Sequence, residues 1–267
     1  MERFLKIKDT FVVRYPVTCE DIEPDYSMKL TAAAAYFQDT VASFMTTRYI
    51  AAFDMIKEGI IWVVSDITFK AGEKNAMWRN VVTSEVELTE LSAFRAYFDY
   101  TLKGDDGSVY ATGTGIWSPV NLATGRPAAI SSFCEIRESV DDELAVKHSK
   151  LKYIAAGEQV LETSYPVTFS DIDFNKHMCN RAYLDFALRG LPKEFKGTHT
   201  VKEYMIKFVR QTYLADTVTC RYYRSPDNDN LYLVRLLNSK DEEVCLIQVE
   251  WTPSVKEEID FSEIVLR

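Results

Sequence analysis

Two hydrophobic periodicities recur along the chain in the same order in each half. Phe94, Ala96, Phe98, Tyr100 and Leu102 alternate with mostly polar residues, the period-two pattern of a strand with one buried face. Upstream lie the β-rich runs GIIWVVSDITF and VVTSEVEL. Downstream, Gly104-Asp105-Asp106-Gly107 supplies turn chemistry and leads into Val109 to Trp117, a predicted hairpin. The second half repeats the plan with KEYMIKFVR and DTVTCRYYR, then SPDNDN turning into LYLVRLL and NSKDEE turning into VCLIQVEW. Each strand set follows a helical segment. The first, AAAAYFQDTVASFMTTRY after Thr31 as N-cap, places Tyr36, Thr40 and Phe44 on one stripe with Phe37 and Val41 beside it. The second, NRAYLDFALRG, has Asn180 as cap, Arg189 near its C-terminal dipole, and Gly190 and Pro192 to stop it. Tyr183, Phe186 and Ala187 form its apolar face. Each half is thus predicted as one helix followed by a strand meander, an α+β unit in which an antiparallel sheet wraps a helix.

A sequence repeat supports the division. Tyr15-Pro16-Val17-Thr18 recurs as Tyr165-Pro166-Val167-Thr168 at an offset of 150, and at that offset Asp21-Ile22, Met28 and Ala32 match Asp171-Ile172, Met178 and Ala182. Two units are therefore expected, residues 1–150 and 151–267, with the Gly-, Pro- and charge-bearing stretch from Asn121 to about Gly157 as connector, carrying a short helix. A chain of 267 residues accommodates two small domains.

Composition narrows the function classes. With 47% hydrophobic residues the chain can build a core, and 15 Tyr and 15 Phe favour sheet. A net charge of −9, from 31 basic and 40 acidic residues, argues against nucleic-acid binding. No apolar run reaches the ~20 residues of a membrane-spanning helix, so no membrane insertion is expected. MERFLKIKDT lacks an apolar signal core, and the five cysteines contain no C-x-x-C pair. These features lead to the expectation of a cytoplasmic protein. Two units in one chain can pair their edges internally, so both monomer and homodimer remain open.

The candidate chemistry is concentrated in Asp171-Ile172-Asp173-Phe174-Asn175-Lys176-His177-Met178-Cys179-Asn180. His148 and His199, the other two histidines, read as surface residues. Asp173, Asn175 and His177 alternate, so an extended segment would point them to one side, just before a helix. Thioester hydrolysis needs a base for water and donors for a developing oxyanion, each donor being worth roughly 3–4 kcal/mol. A carboxylate or imidazole provides the first; an amide and free helix N–H groups provide the second. Turn and capping hydrogen bonds would explain Asp173 and Asn175 equally well. One His with one carboxylate is a thin metal set, so no metal is expected. In the first half the corresponding positions are Glu23, Asp25 and Ser27, without imidazole or amide, which points to one active site per chain.

The segment resembles the D-x-N-x-H-x-x-N signature of plant and bacterial acyl-acyl-carrier-protein (acyl-ACP) thioesterases. LTAAAAYFQDTVA is similar to that family's L-x-x-x-x-Q-E-T-A helix, Trp62-Val63-Val64 to its I-W-V-V strand, and Gly115-Ile116-Trp117 before Asn121 to its S-x-W-x-x-x-N segment. The resemblance implies tandem hot-dog domains, no cofactor, and hydrolysis of acyl-ACP to free fatty acid. By position Asp173, Asn175 and His177 would be catalytic, with Asn180 in support, and the first hot-dog would shape the acyl pocket. The chain departs from the family at a Glu-Cys pair on the strand after the helix, where it has Gln211 and Thr212. Neither can be a base or a thiolate, so the base falls to Asp173 or His177, and Gln211 and Thr212 become candidate supporting residues. Cys179 reads as a packing residue. An acyl-CoA thioesterase, a hot-dog dehydratase and a non-catalytic acyl-binding module remain alternatives. Docking of an acidic carrier protein would use Lys147, Lys150 and Lys152, or Lys202, Lys207 and Arg210.

Overall fold

The computed structural model describes residues 5–132 and 151–254. His148, Lys147, Lys150 and residues 133–150 of the predicted connector lie outside them. In chain order the strands are β1 (Leu5–Pro16), β2 (Ile60–Ala71), β3 (Val81–Leu91), β4 (Ala96–Lys103), β5 (Val109–Asn121), β6 (Arg126–Pro127), β7 (Glu158–Pro166), β8 (His199–Phe208), β9 (Thr217–Arg224), β10 (Leu231–Leu237) and β11 (Glu243–Pro253). The α-helices are α1 (Leu30–Thr47), α2 (Ala52–Met55), α3 (Asn180–Arg189) and α4 (Lys193–Thr198). Strand order is β1-β3-β4-β5-β2 in the first half and, in reverse direction across the sheet, β7-β9-β10-β11-β8 in the second. The halves fuse into one antiparallel sheet where β2 pairs β8, Ile67 opposite Ile206 and Phe69 opposite Tyr204. The fold is two tandem hot-dog units, each a helix wrapped by its sheet. Among the described residues no helix is long and apolar enough to cross a membrane.

The strand meanders follow the predicted segments, but each unit also has a leading strand, β1 or β7, that helix-then-meander reading left out. Each is an outer edge, pairing only β3 or β9, and each ends at a proline, a residue suited to a strand edge or end. One-sided pairing gives β1 and β7 a half-buried pattern that their sequence shows only weakly.

The helix starts also differ from prediction. Thr31 lies inside α1 and Asn180 is the first residue of α3; the N-caps are Lys29 and Cys179, neither with a side-chain cap bond. Backbone bonds position both starts instead, Lys29 N–H to Asp21 O and Cys179 N–H to Asp171 O, each 2.8 Å. Gly190 ends α3 at helical dihedrals, φ −69° and ψ −22°. Its lack of a side chain matters for space, because a Cβ there would lie 2.1 Å from the Tyr222 hydroxyl.

Packing centres on α1. Its Phe37 ring stacks 5.2 Å from Phe69 and 4.8 Å from Tyr100. Phe69 meets Tyr204 at 5.2 Å across the junction between the halves. All four rings are buried, each contributing about 1.5–3 kcal/mol by analogy with full burial of a large apolar side chain. Thr40, on the predicted stripe, is fully buried because its hydroxyl reaches Tyr36 O and Ser84 Oγ at 2.7 and 2.8 Å. This aromatic seam runs from α1 through β4 and β2 to β8, across the junction of the two halves.

Candidate functional site

The segment from Asp173 to His177 is a tight loop, not the extended stretch that alternation predicts. Ile172 and Met178 bridge at its base. Asp173 N–H donates to His177 O at 3.0 Å, and Lys176 N–H to Asp173 O at 3.0 Å. Lys176 takes φ +66°, a left-handed conformation uncommon for a side-chain-bearing residue. The turn does what alternation could not: it folds Asp173 back on His177, with Nδ1 3.7 Å from Oδ1. His177 Nδ1 is also 3.3 Å from Met178 O. Met178 O is within hydrogen-bond reach of Nδ1 and the Asp173 carboxylate lies just beyond it, surroundings that suit a proton on Nδ1 and leave Nε2 able to take one. Asp173 Oδ1 accepts the Asn175 N–H at 2.8 Å.

Asp173, Asn175 and His177 all border one cavity of about 360 Å³, a size typical of ligand sites. Asn180 and Tyr183 of α3 border it beside them. Most of the lining from the first half is apolar, with Ala42 and Met45 of α1 and Trp62 to Val64 of β2 beside the polar Gln38 and Thr46; Phe208 at the end of β8 adds to the apolar part. The acid, the amide and the imidazole on the cavity thus come from one unit, and much of its apolar lining from the other.

The remaining sequence candidates separate. Asn180 Nδ2 lies 3.5 Å from Gln38 Oε1 of α1, a bond across the halves. Gln211 borders the cavity, and its carbonyl oxygen accepts from the Tyr213 hydroxyl at 2.8 Å. Thr212 is fully buried and does not border the cavity; its contribution is a backbone carbonyl that accepts the Met178 N–H at 2.7 Å. Cys179 is partly buried, and that burial pushes its thiol up from the ordinary value, which disfavours the thiolate. Burial likewise pushes the Tyr183 phenol up; the hydroxyl donates to Arg210 O at 3.4 Å.

His199 begins β8 and stacks on Phe195 at 4.1 Å, so it is a packing residue, partly buried. Lys202, Lys207 and Arg210 do not form one patch. At ~3.3 Å per strand residue Lys202 and Arg210 are roughly 25 Å apart, Lys202 is paired with Glu250 at 2.8 Å, and Arg210 borders the cavity. Among the described residues no group of three or more His, Cys, Asp or Glu could hold a metal. Sequence reading passed over Phe53 and Phe174, which also border the cavity. The one signal was an apolar residue set inside an otherwise polar motif.

Comparison with known proteins adds a family. Residues 8–138 match the model of the acyl-ACP thioesterase N-terminal domain, and residues 154–253 that of the C-terminal domain. Dodecanoyl-[acyl-carrier-protein] hydrolase, chloroplastic, of Cinnamomum camphora is 22% identical over 94% of this chain and 69% of its own length. Oleoyl-acyl carrier protein thioesterase 2, chloroplastic, of Arabidopsis thaliana is 24% identical over 82% of this chain and 63% of its own length. The crystal structure of an acyl-ACP thioesterase from Bacteroides thetaiotaomicron superimposes with a TM-score of 0.75 at 15% identity, covering 91% of this chain and 98% of that one; at that identity the likeness concerns the fold.

Proposed function

The chain belongs to the acyl-ACP thioesterase family, a family of thioester hydrolases, and we propose that it hydrolyses fatty acyl-ACP to free fatty acid and carrier protein at the cavity bordered by Asp173, Asn175 and His177. The observation that carries this is the cavity's lining: an acid, an amide and an imidazole border the same cavity as the apolar Ala42, Met45 and Trp62 to Val64 of the other half. The acyl chain lies along Met45, Trp62 and Val64, and the thioester carbon stops at the acid, amide and imidazole.

In this reading His177 Nε2 takes a proton from water while Asp173 holds the ring through Nδ1 and stabilises the imidazolium. Hydroxide adds to the carbonyl carbon. The oxyanion is met by the Asn175 amide and by the N–H groups at the start of α3, which carry no side-chain cap. The C–S bond then breaks, and the thiolate leaves with the proton from His177. Gln211, where family members have Glu, orients the water and cannot deprotonate it. The unit of residues 1–150 shapes the acyl pocket, and the unit of residues 151–267 carries the chemistry.

The test is free-thiol release from a panel of acyl-ACP substrates, C8 to C18. Release that disappears in His177→Ala supports the reading. Tight binding with no release from any member would make the protein an acyl-binding module. Equal efficiency on acyl-CoA would change the substrate class.

A further inference from the structure

Two phenylalanine rings stand in solvent at the rim of the cavity. Phe53 is 78% exposed and Phe174 70%, and both border the cavity. They stack on each other, centroids 6.4 Å apart and planes at 19°. Phe53 belongs to the first half, on α2; Phe174 belongs to the second, between Asp173 and Asn175. Tyr49 and Phe169 are as exposed; what sets Phe53 and Phe174 apart is that they stack on each other and both border the cavity, an apolar patch at a binding site and not isolated side chains.

Neither ring is explained by local structure. The matching loop of the first half has Pro24 where Phe174 stands, yet it closes with the same bond, Glu23 N–H to Ser27 O at 2.8 Å, and the same left-handed residue, Tyr26 at φ +61°. The loop therefore folds without an aromatic at that position. Phe53 is presented by a short helix anchored elsewhere: Ala51 N–H donates to Asp54 Oδ2 at 3.1 Å, and Trp62 Nε1 donates to Ile50 O at 2.9 Å.

We infer that the Phe53–Phe174 pair recognises the amide-bearing, pantetheine-type arm on the sulfur side of the thioester. This rests on the thioesterase reading above. With the acyl chain against the apolar lining and the carbonyl at the acid, amide and imidazole, the part of the substrate that must cross the rim is this arm. Its planar amides and branched hydrocarbon suit aromatic faces, which bury such groups at little conformational cost. Because each half supplies one ring, only the assembled pair of units offers the whole surface.

The experiment compares two dodecanoyl thioesters with the same acyl chain, one on pantetheine and one on N-acetylcysteamine, which keeps only the sulfur end of the arm. Wild type, Phe53→Ala, Phe174→Ala and the ring-preserving Phe53→Tyr are assayed for thiol release, with thermal melting as a fold check. The expected result is a KM ratio, pantetheine over N-acetylcysteamine thioester, that rises about tenfold in each Ala variant, the scale of losing one aromatic contact, and stays near wild type in Phe53→Tyr. An unchanged ratio in Phe53→Ala overturns the inference. An equal KM rise for both substrates also overturns it, because the rings would then touch only what the two share, the acyl chain or the cysteamine end, and not the arm beyond. Wild type that releases thiol from neither of these nor from dodecanoyl-ACP, run beside them, would overturn the thioesterase reading itself; release from dodecanoyl-ACP alone would overturn only this inference, because the arm by itself would then not be recognised.

Discussion

The loop that precedes α1 and the loop that precedes α3 are built on the same bonds. Thr18 and Thr168 each donate their N–H and hydroxyl to the aspartate three residues on, Asp21 or Asp171, at 2.8 and 2.6 Å in both copies. Met28 N–H reaches Ala76 O at 2.8 Å, and Met178 N–H reaches Thr212 O at 2.7 Å. The copies part in what their side chains do. In the first, Asp25 Oδ1 accepts both the N–H and the hydroxyl of Ser27, at 3.0 and 2.6 Å, and Tyr26 stacks on Trp78 at 5.9 Å. In the second, Lys176 and Leu214 replace those two rings, the Asn175 amide takes none of the loop's hydrogen bonds, and the loop borders the cavity. The scaffold is common property, while the groups that could act on a substrate belong to one copy. Keeping the loop's shape does not require Asp-x-Asn-x-His, so the triad has to be explained by something other than the fold.

The sharpest way to break this asymmetry is to empty each loop in turn. His177→Ala and Asn175→Ala should each lower kcat by at least ~100-fold, the usual effect of losing a base or an oxyanion donor, while melting stays close to wild type. The paired change Asp25→Ala with Ser27→Ala should leave kcat within about twofold and lower stability by about 1 kcal/mol for the lost side-chain bonds. Steady-state thiol release and denaturant titration read both quantities. A tenfold loss of kcat from the first-half pair would mean that the copies share the chemistry.

A second contrast lies within α1 and at the end of the shorter α3. At the repeat offset Thr40 corresponds to Gly190. Thr40 fills its site and bonds Ser84, whereas the space at Gly190 is taken by the Tyr222 hydroxyl, with Thr163 Oγ1 2.8 Å from where a Cβ would be. Gly190→Ala should therefore cost about 1–3 kcal/mol as overpacking, and Gly190→Ala with Tyr222→Phe should recover part of it. Urea midpoints measure both. A neutral Gly190→Ala would show that Tyr222 has room to move.

Much of this was legible in the chain, for identifiable reasons. Strand β4 shows its period in the sequence, and the other strands of each meander stand out as β-rich runs set between turn residues. The repeat announced two units before any coordinates. Strands β1 and β7 were missed because an edge strand carries less of that pattern. Helix starts were misread because Thr31 and Asn180 look like caps, while the backbone bonds to Asp21 O and Asp171 O that place them have no sequence signature. Asp173, Asn175 and His177 do border one cavity, but a turn with Lys176 left-handed brings them there, not the strand alternation that their spacing suggests. The contributions of Gln38 and Phe53, some 120 residues or more from the loop they face, depend on how β2 pairs with β8, which short-range pattern does not encode.

The mildest test concerns Asp21, the aspartate common to both loops. Burial pushes its carboxyl up, but the Thr18 hydroxyl, the Tyr36 hydroxyl, the Thr18 N–H and Lys29 together outweigh burial and hold it below the ordinary value. Tyr36 donates at 2.7 Å; at the corresponding place on α3 stands Phe186, which has no hydroxyl. Tyr36→Phe thus converts the first copy toward the second. A carboxyl depressed in the folded state adds stability above its unfolded pKa of about 4 and loses that stability as pH falls through the folded value. The variant should accordingly be destabilised at pH 7, by at most about 1 kcal/mol for a partly exposed bond, and the gap to wild type should shrink as pH is lowered below 4. Thermal melts of both proteins at pH 7 and pH 3 decide it: a gap of equal size at both would mean that the hydroxyl matters for packing against Tyr15, whose ring lies 4.7 Å away, and not for the charge on Asp21.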